Sequence, residues 1–375
     1  SCRTADTGVV TRCRLIAQAD KVIVAAGKNL NHTHQIGCIM VRIGIVGIGF
    51  MGVTHFKAID TVKGAKVTAI CTRDTKKLRG DWRSVQGNFG GGGGVQDLKG
   101  VAAYERIEDM FADDKVDLID ICLPTTMHFD WTMAALAAGK HVFLEKPIAL
   151  DLRQADRMVR EAEKRNLRLM VAHVLRYFPE FRLVKDLLDG GEHGRVLAAD
   201  FKRVISMPSW WNPKDLARTG GPAIDLHIHD TDFVQHLFGM PEAVTSTGVV
   251  RRGGVVEHID THYHFKGPQQ VSASGGWLSQ QGCPFEHGYD IFFEDATLKF
   301  NSSWGQPPVL LTRDGKSRRP KLPGKDGFIG ELQEAVDAVK AGKDSTVLSG
   351  KSARDSLRVC LREIQSVKQG RRVKI

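Results

Sequence analysis

Lys146 stands between Glu145 and Pro147 at the end of a short apolar run, and Asp225 and His229 stand four residues apart behind Gly220-Gly221-Pro222. A lysine ammonium can steady a developing oxyanion, and an imidazole one helical turn from a carboxylate can be oriented and tuned as a general base. Spacing does not single out that pair. Asp232 and His236 continue the same stripe, and such a pair is more often a capped helix with a satisfied core histidine. Nearness to the glycine-marked helix start favours Asp225 and His229. Four further side chains are candidates for substrate contact: His173 and Arg176 behind a predicted strand, and Trp210 and Trp211 on the loop before the glycines, where an indole could stack on a sugar ring.

A second constellation binds rather than reacts. Gly47-Ile48-Gly49-Phe50-Met51-Gly52 follows an apolar run at 41–46 and precedes a helical segment. In that context Gly47 permits a tight turn, Gly49 lets backbone approach a pyrophosphate, and Gly52 allows close packing of helix on strand. The helix start adds free N–H groups and positive potential. Beyond the next predicted strand, 66–71, an NAD site would place an acid on the ribose hydroxyls. Thr72 and Arg73 stand there instead. A hydroxyl and a guanidinium suit a 2′-phosphate, so the cofactor reading is NADP or NAD with a lean to NADP. Asp74 keeps NAD open, although it serves equally as the N-cap of the following helix.

The elements that must position these groups follow from periodicity and punctuation. Residues 117–123 form a near-continuous apolar run, as expected of a strand buried on both faces of a parallel sheet, and Pro124 ends it. Trp131, Ala134, Ala135 and Ala138 recur at helical spacing until Gly139, and the strand 142–144 then delivers Glu145 and Lys146 at its carboxyl end. Ligands bind at that end of strands in open α/β sheets. A capping-box helix from Asp151 and a strand at 168–172 follow. From Gly194 the period turns to alternation, with strands at 195–207, 243–251, 257–265, 270–278, 288–294 and 296–301. In the third of these, His258, Asp260, His262 and His264 share one face, which reads as a polar or subunit-facing sheet surface rather than a metal site. No metal is expected. An amphipathic helix over 355–367 closes the chain.

The fold class implied is an α/β Rossmann domain plus an α+β domain with a large, mostly antiparallel open sheet. The domain reading is 40–160 for nucleotide and 161–375 for substrate and oligomerisation. Residues 1–39 carry no sustained period and only a faint transit-peptide character, and Met40 reads as the natural start, so they are expected to be a disordered or non-native extension. Gly90 to Gly94 are five consecutive glycines and read as a flexible surface loop.

Composition sets the class of molecule. A chain of 375 residues with 42% apolar content can build two cores, and no apolar run approaches a membrane span. Seven cysteines lie scattered without a C-x-x-C pair, which argues for reduced thiols and a cytoplasmic protein. The formal charge of +10 is dispersed, without the basic stripe and interleaved aromatics of a nucleic-acid surface.

Three signatures in register, Gly47-x-Gly49-x-x-Gly52, Glu145-Lys146-Pro147 and Asp225-x-x-x-His229, resemble the family of glucose-fructose oxidoreductase, inositol dehydrogenase and rhizopine-catabolism dehydrogenase. Leu123-Pro124-Thr125-x-x-His128, Ala172-His173-Val174-Leu175-Arg176 and the final Gly370-Arg371-Arg372 extend the likeness over essentially all of 40–375. The resemblance implies a dehydrogenase or reductase of a sugar, polyol or inositol-like substrate, working as a homodimer or homotetramer joined through the antiparallel sheet. It implies that His229 takes the hydroxyl proton, Lys146 hydrogen-bonds the alkoxide, and Asp225 orients substrate and histidine. The nucleotide would lie on Gly47, Ile48, Gly49, Phe50, Met51, Gly52, Thr72, Arg73, Pro124, Thr125, His128, Glu145 and Lys146. Thr72 departs from the family's common acid and the glycine run is unusual. Two rival readings share the scaffold: an NAD-assisted glycoside hydrolase and a non-catalytic sensor.

Overall fold

The computed structural model describes residues 40–87, 92–207, 219–251, 253–324 and 326–375. The expectations for residues 1–39, Gly90, Trp210 and Trp211 lie outside them.

Strands β1 (Val41–Val46), β2 (Ala65–Cys71), β3 (Ala102–Tyr104), β4 (Leu118–Ile121), β5 (His141–Glu145) and β6 (Leu169–Ala172) form one parallel sheet in the order β3-β2-β1-β4-β5-β6. This is the doubly wound arrangement, with the order reversing between β1 and β4, where ligands sit at the carboxyl ends. Every residue of β4 and β6 is buried, which accounts for their apolar runs. Helices α1 (Phe50–Ile59), α2 (Ile107–Phe111), α3 (His128–Ala137) and α4 (Leu152–Lys164) connect the strands. The Asp151 side chain caps α4 by accepting from Arg153 and Gln154 N–H groups. Because β6 pairs with β5, the nucleotide sheet reaches past residue 160.

After α5 (Pro179–Gly190) comes a nine-stranded sheet in the order β14-β13-β12-β11-β7-β10-β9-β8-β15. Its members are β7 (Val196–Ser206), β8 (Ala243–Arg251), β9 (Val255–His264), β10 (Gln270–Ser279), β11 (Glu286–Phe293), β12 (Ala296–Asn301), β13 (Val309–Thr312), β14 (Ser317–Arg318) and β15 (Val373–Lys374). One pair departs from the antiparallel rule, since β10 runs parallel to β7. Helices α5 and α7 (Ile228–Phe238) cover one face, where Phe181 and Phe233 pack edge-on at 5.2 Å over Phe201 and Tyr289.

The two last long helices return to the first sheet. In α8 (Gly327–Ala341), Leu332, Ala335 and Val336 join the core formed by Ile43, Ile45 and Ile70, and in α9 (Gly350–Gln369), Ala353 and Leu357 join the core on the opposite face with Ile121 and Val142. Each fully buried aliphatic side chain of this size contributes about 1.5–3 kcal/mol.

The glycine run is more ordered in its described part than its composition suggests. Gly93 N–H donates to the Val85 carbonyl at 3.2 Å and Trp82 N–H to the Gly94 carbonyl at 2.8 Å. A Cβ on Gly93 would lie 2.1 Å from the Trp82 carbonyl oxygen. Trp82 itself is fully buried, edge-on to Phe56 at 4.7 Å. Close approach to the backbone of a buried tryptophan, rather than freedom of motion, is what the glycine at 93 serves.

Candidate active site

The glycine turn is built by three different constraints. Gly47 has φ +95°, and a Cβ there would lie 2.6 Å from the Cys122 carbonyl oxygen; a Cβ on Gly52 would lie 2.0 Å from the Gly47 carbonyl oxygen. Gly49 meets nothing within 4 Å, so the protein's own packing leaves its face open. No side chain caps α1 at Gly49, and a helix start of this kind turns backbone N–H groups and positive potential toward an anion. That combination fits a dinucleotide pyrophosphate. Phe50 and Met51, partly exposed, open the helix, while Pro124 is exposed and Thr125 half-buried on the loop beside the turn.

Past β2, Thr72 Oγ accepts from the Asp74 N–H at 3.3 Å. Asp74 Oδ1 accepts from the Lys76 and Lys77 N–H groups at 2.9 and 3.3 Å. One carboxylate oxygen is thus committed to capping a helical turn, while Arg73 is exposed. Lys77, which sequence reasoning passed over, sends its Nζ 2.8 Å to the Ile48 carbonyl inside the glycine motif. Nothing in the spacing marks it, because its reach depends on how the turn after β2 folds back.

His128 and Glu145 lie behind the cleft wall. The His128 ring is buried with Nδ1 2.8 Å from the Pro147 carbonyl and Nε2 2.8 Å from the Leu123 carbonyl, so it stitches the loop after β4 to the segment after β5. Burial, opposed by those two carbonyls, holds its pKa below the ordinary value. Glu145 accepts the Lys146 N–H at 3.1 Å and is 7% exposed.

Lys146 reaches across to the second domain. Its side chain, 16% exposed, places Nζ 3.1 Å from Asp225 Oδ1 and 2.5 Å from the Asp225 carbonyl oxygen. The expected continuous helix carrying Asp225 and His229 is in fact two: α6 (Pro222–Asp225) ends at Asp225 and α7 starts at Ile228. The His227 N–H turns back to the Pro222 carbonyl at 2.8 Å and the His229 N–H to the Leu226 carbonyl at 3.3 Å. In an unbroken helix the Asp225 carbonyl would accept from His229. The break releases it, and Lys146 takes it.

His229 enters the site with Nδ1 lacking a hydrogen-bond partner. The residue is half-buried, with Nδ1 shielded from solvent. Burial, then the nearby charge of Lys146 and of Arg203, holds its pKa well below 6.5. It is therefore a neutral imidazole beside an ammonium. His173 lies just past the end of β6 with Nδ1 3.4 Å from Asp232 Oδ1 and neither ring nitrogen aligned for a hydrogen bond, and burial brings its pKa down to about 4 against the pull of Asp232. Lys146 acts electrostatically on both rings. His287 on β11 also acts on His229, as a neutral ring whose pKa burial lowers to about 3 and whose Nδ1 lacks a hydrogen-bond partner; the expected strand began one residue after it.

Arg176 is placed elsewhere than a cleft wall. It is 5% exposed and bonded through Nε and Nη2 to both oxygens of Asp232, at 2.9 and 2.6 Å, to the Val347 carbonyl and to Ser352. Asp232 also accepts from Ser356 at 2.7 Å. This buried pair clamps the end of β6 to α7 and α9 and removes Asp232 from the choice that spacing left open.

Residues 41–173 match the model of an oxidoreductase family with an NAD-binding Rossmann fold, and residues 181–299 match that family's C-terminal domain. The chain belongs to this family. This oxidoreductase is 25% identical over 260 residues, 68% of each chain, to a Bacillus subtilis protein described as scyllo-inositol 2-dehydrogenase (NADP(+)). It is 26% identical over 352 residues to myo-inositol 2-dehydrogenase of Thermotoga maritima, covering 89% of this chain and 98% of that one. Its fold is also that of a levoglucosan dehydrogenase solved with NADH and levoglucosan, with TM-score 0.76, 17% identity, and coverage of 89% and 99%.

Proposed function

We propose that this oxidoreductase transfers hydride between a nicotinamide dinucleotide, with NADP preferred, and a secondary alcohol or ketone of a polyol, sugar or inositol-like substrate. The observation that carries the proposal is the pairing across domains of Lys146 with Asp225, beside the neutral His229 imidazole. When bound, the nicotinamide supplies the hydride acceptor. His229 takes the hydroxyl proton, for which its depressed pKa keeps it ready. Lys146 donates to the same oxygen as negative charge gathers there, and Asp225 holds the ammonium by carboxylate and carbonyl until substrate arrives. His173, neutral and with Nε2 lacking a hydrogen-bond partner, is available as a further substrate contact through that nitrogen.

The NADP preference rests on Asp74 being spent on its own turn while Arg73 and Lys77 bring cations to that end of the site. No described helix is long and apolar enough to cross a membrane, and Cys71, Cys122, Cys283 and Cys360 are free thiols; both suit work in the cytoplasm. Leu197, Val249 and Leu311 stand exposed on strands of the large sheet, and a homodimer or homotetramer through this sheet would cover them, a state that light scattering reads directly.

The decisive measurement incubates the protein with NAD⁺ or NADP⁺ and a panel of inositols, other polyols and sugars, and follows absorbance of the reduced nicotinamide. Reduction supports the proposal. Sugar release without net reduction points to a hydrolase, and nucleotide binding without turnover to a sensor. Lys146→Ala should lower kcat about 10²–10³-fold, in line with loss of an oxyanion donor, while nucleotide still binds. Full activity in that variant would sink the assignment.

A further inference from the structure

A buried polar cluster lies directly behind Lys146. His55, three residues beyond the last glycine of the motif, is fully buried on α1. Its Nδ1 lies 2.9 and 3.1 Å from the two oxygens of Asp120 on β4, so that nitrogen carries a proton. The opposite nitrogen, Nε2, lies 3.3 Å from Glu145 Oε1 on β5 and 3.8 Å from Glu331 Oε1 on α8, aligned for a hydrogen bond with neither. Cys122 Sγ completes the group, 3.5 Å from Nδ1 and 3.4 Å from Asp120.

The geometry selects the charge state. A neutral ring would turn a lone pair toward two carboxyl groups in a dry interior, whereas an imidazolium turns a positive edge to both. Burial opposes the charged ring, but the Asp120 carboxylate outweighs it and raises the His55 pKa well above 6.5, while Cys122, its own pKa raised by burial, stays a neutral thiol. Glu331 is the converse. It is 0% exposed, neither carboxyl oxygen has a hydrogen-bond partner, and burial raises its pKa well above the usual carboxylate range, which leaves it neutral. The imidazolium is therefore free to hold Glu145, whose other oxygen, Oε2, accepts the backbone N–H of Lys146.

We propose that His55 is a positioning residue for Lys146: anchored by Asp120, it holds the Glu145 carboxylate, which fixes the Lys146 backbone and aims Nζ at Asp225. Glu331 closes the pocket as a neutral neighbour. The proposal rests on the reading of Lys146 as a site residue, but its test does not need turnover.

The test is competitive acetylation of lysines by acetic anhydride in the full chain, read by mass spectrometry, with NADPH affinity measured in parallel. His55→Asn should raise Lys146 labelling about three- to tenfold, with NADPH affinity unchanged within threefold. Lys140, held by the Asp113 and Val116 carbonyls away from the site, is the internal control and should keep its rate. Glu331→Gln, which preserves a neutral group, should leave Lys146 labelling within twofold. If His55→Asn does not fold, Glu145→Gln should give the same selective rise. Unchanged Lys146 labelling in the folded variants would overturn the proposal, as would a parallel rise at Lys140. So would one equivalent of zinc in the purified protein, because His55, Asp120 and Cys122 lie within 4.8 Å of one another and would then be ligands. Loss of the hydride-transfer reading, by contrast, would show in Lys146→Ala turnover and leave this labelling pattern intact.

Discussion

At the scale of single residues, the site separates groups that meet the cleft from groups that hold its walls. On the proposed assignment Lys146 and His229 meet it, while His128, Glu145 and Arg176 are buried and bonded within the protein. The sequence marked all five with the same kind of signal, a polar residue at a strand end or helix start, and no local pattern distinguishes the two roles. Lys77 and His55 were missed for the opposite reason: each is unremarkable in its own segment and acquires a partner only through folding, the Ile48 carbonyl for one and residues 65 to 276 positions away for the other. Two outcomes belong at this scale. Thr72→Asp should move kcat/KM from NADP toward NAD, because a carboxylate there repels a 2′-phosphate and accepts from ribose hydroxyls, and Lys77→Ala should weaken NADP selectively; both are read as the ratio of kcat/KM for the two nucleotides. Since His229 titrates well below 6.5, kcat/KM should show no fall near pH 6.5 from this group as pH is lowered, and an inflection there lost in His229→Asn would contradict its assignment as the neutral base.

Elements carry a different message. Strands bounded by clear punctuation were legible to the residue: β1, β8 and β12 lie where alternation or an apolar run placed them, at 41–46, 243–251 and 296–301. Pairing was not. Nothing within 196–206 or 270–279 says that these two strands run parallel, because the choice of neighbour is made by connections and by the helices packed over the sheet. The break between α6 and α7 was also invisible, since i and i+4 spacing is the same in a broken helix as in a whole one. At the glycine turn the second and third glycines predict opposite behaviour. Gly49→Ala meets no protein atom within 4 Å and has ordinary φ of −96°, so the melting temperature should hold while nucleotide affinity falls about tenfold, near 1.4 kcal/mol. Gly52→Ala would drive a Cβ to 2.0 Å from a backbone oxygen and should lower the melting temperature itself.

Across the whole molecule, buried ionisable groups set the pH range of stability. Burial lowers His141, His173 and His236 to about 4 and His227 and His287 to about 3. Below pH 6.5 the unfolded chain takes up protons that the folded chain refuses, so stability falls as pH drops from 6.5 toward 4. Glu363, raised to about 7 by burial, acts in the other direction, losing stability as pH rises from 4.5 through 7, as do Glu331 and Asp230, also raised by burial; these carboxyls are outnumbered. Melting temperature should therefore decline steadily below pH 6.5, and a flat profile to pH 4.5 would contradict it. The Arg176–Asp232 clamp is the corresponding single-site test: Arg176→Met leaves a buried carboxylate unpaired and should cost about 3–5 kcal/mol in denaturant unfolding.

The return of α8 and α9 to the first sheet has a consequence for how the chain is made. Leu332 and Val336 touch the core of β1, and Leu357 that of β4, so the nucleotide sheet, covered in part by α1 on one face and by α3 and α4 on the other, completes both coverings only when α8 and α9 have left the ribosome. Synthesis runs from one end and domains commonly fold as they emerge. Here the first sheet to be synthesised must wait, half-clothed, through the whole of the second, and the late closure of contacts spanning nearly three hundred residues favours slow folding.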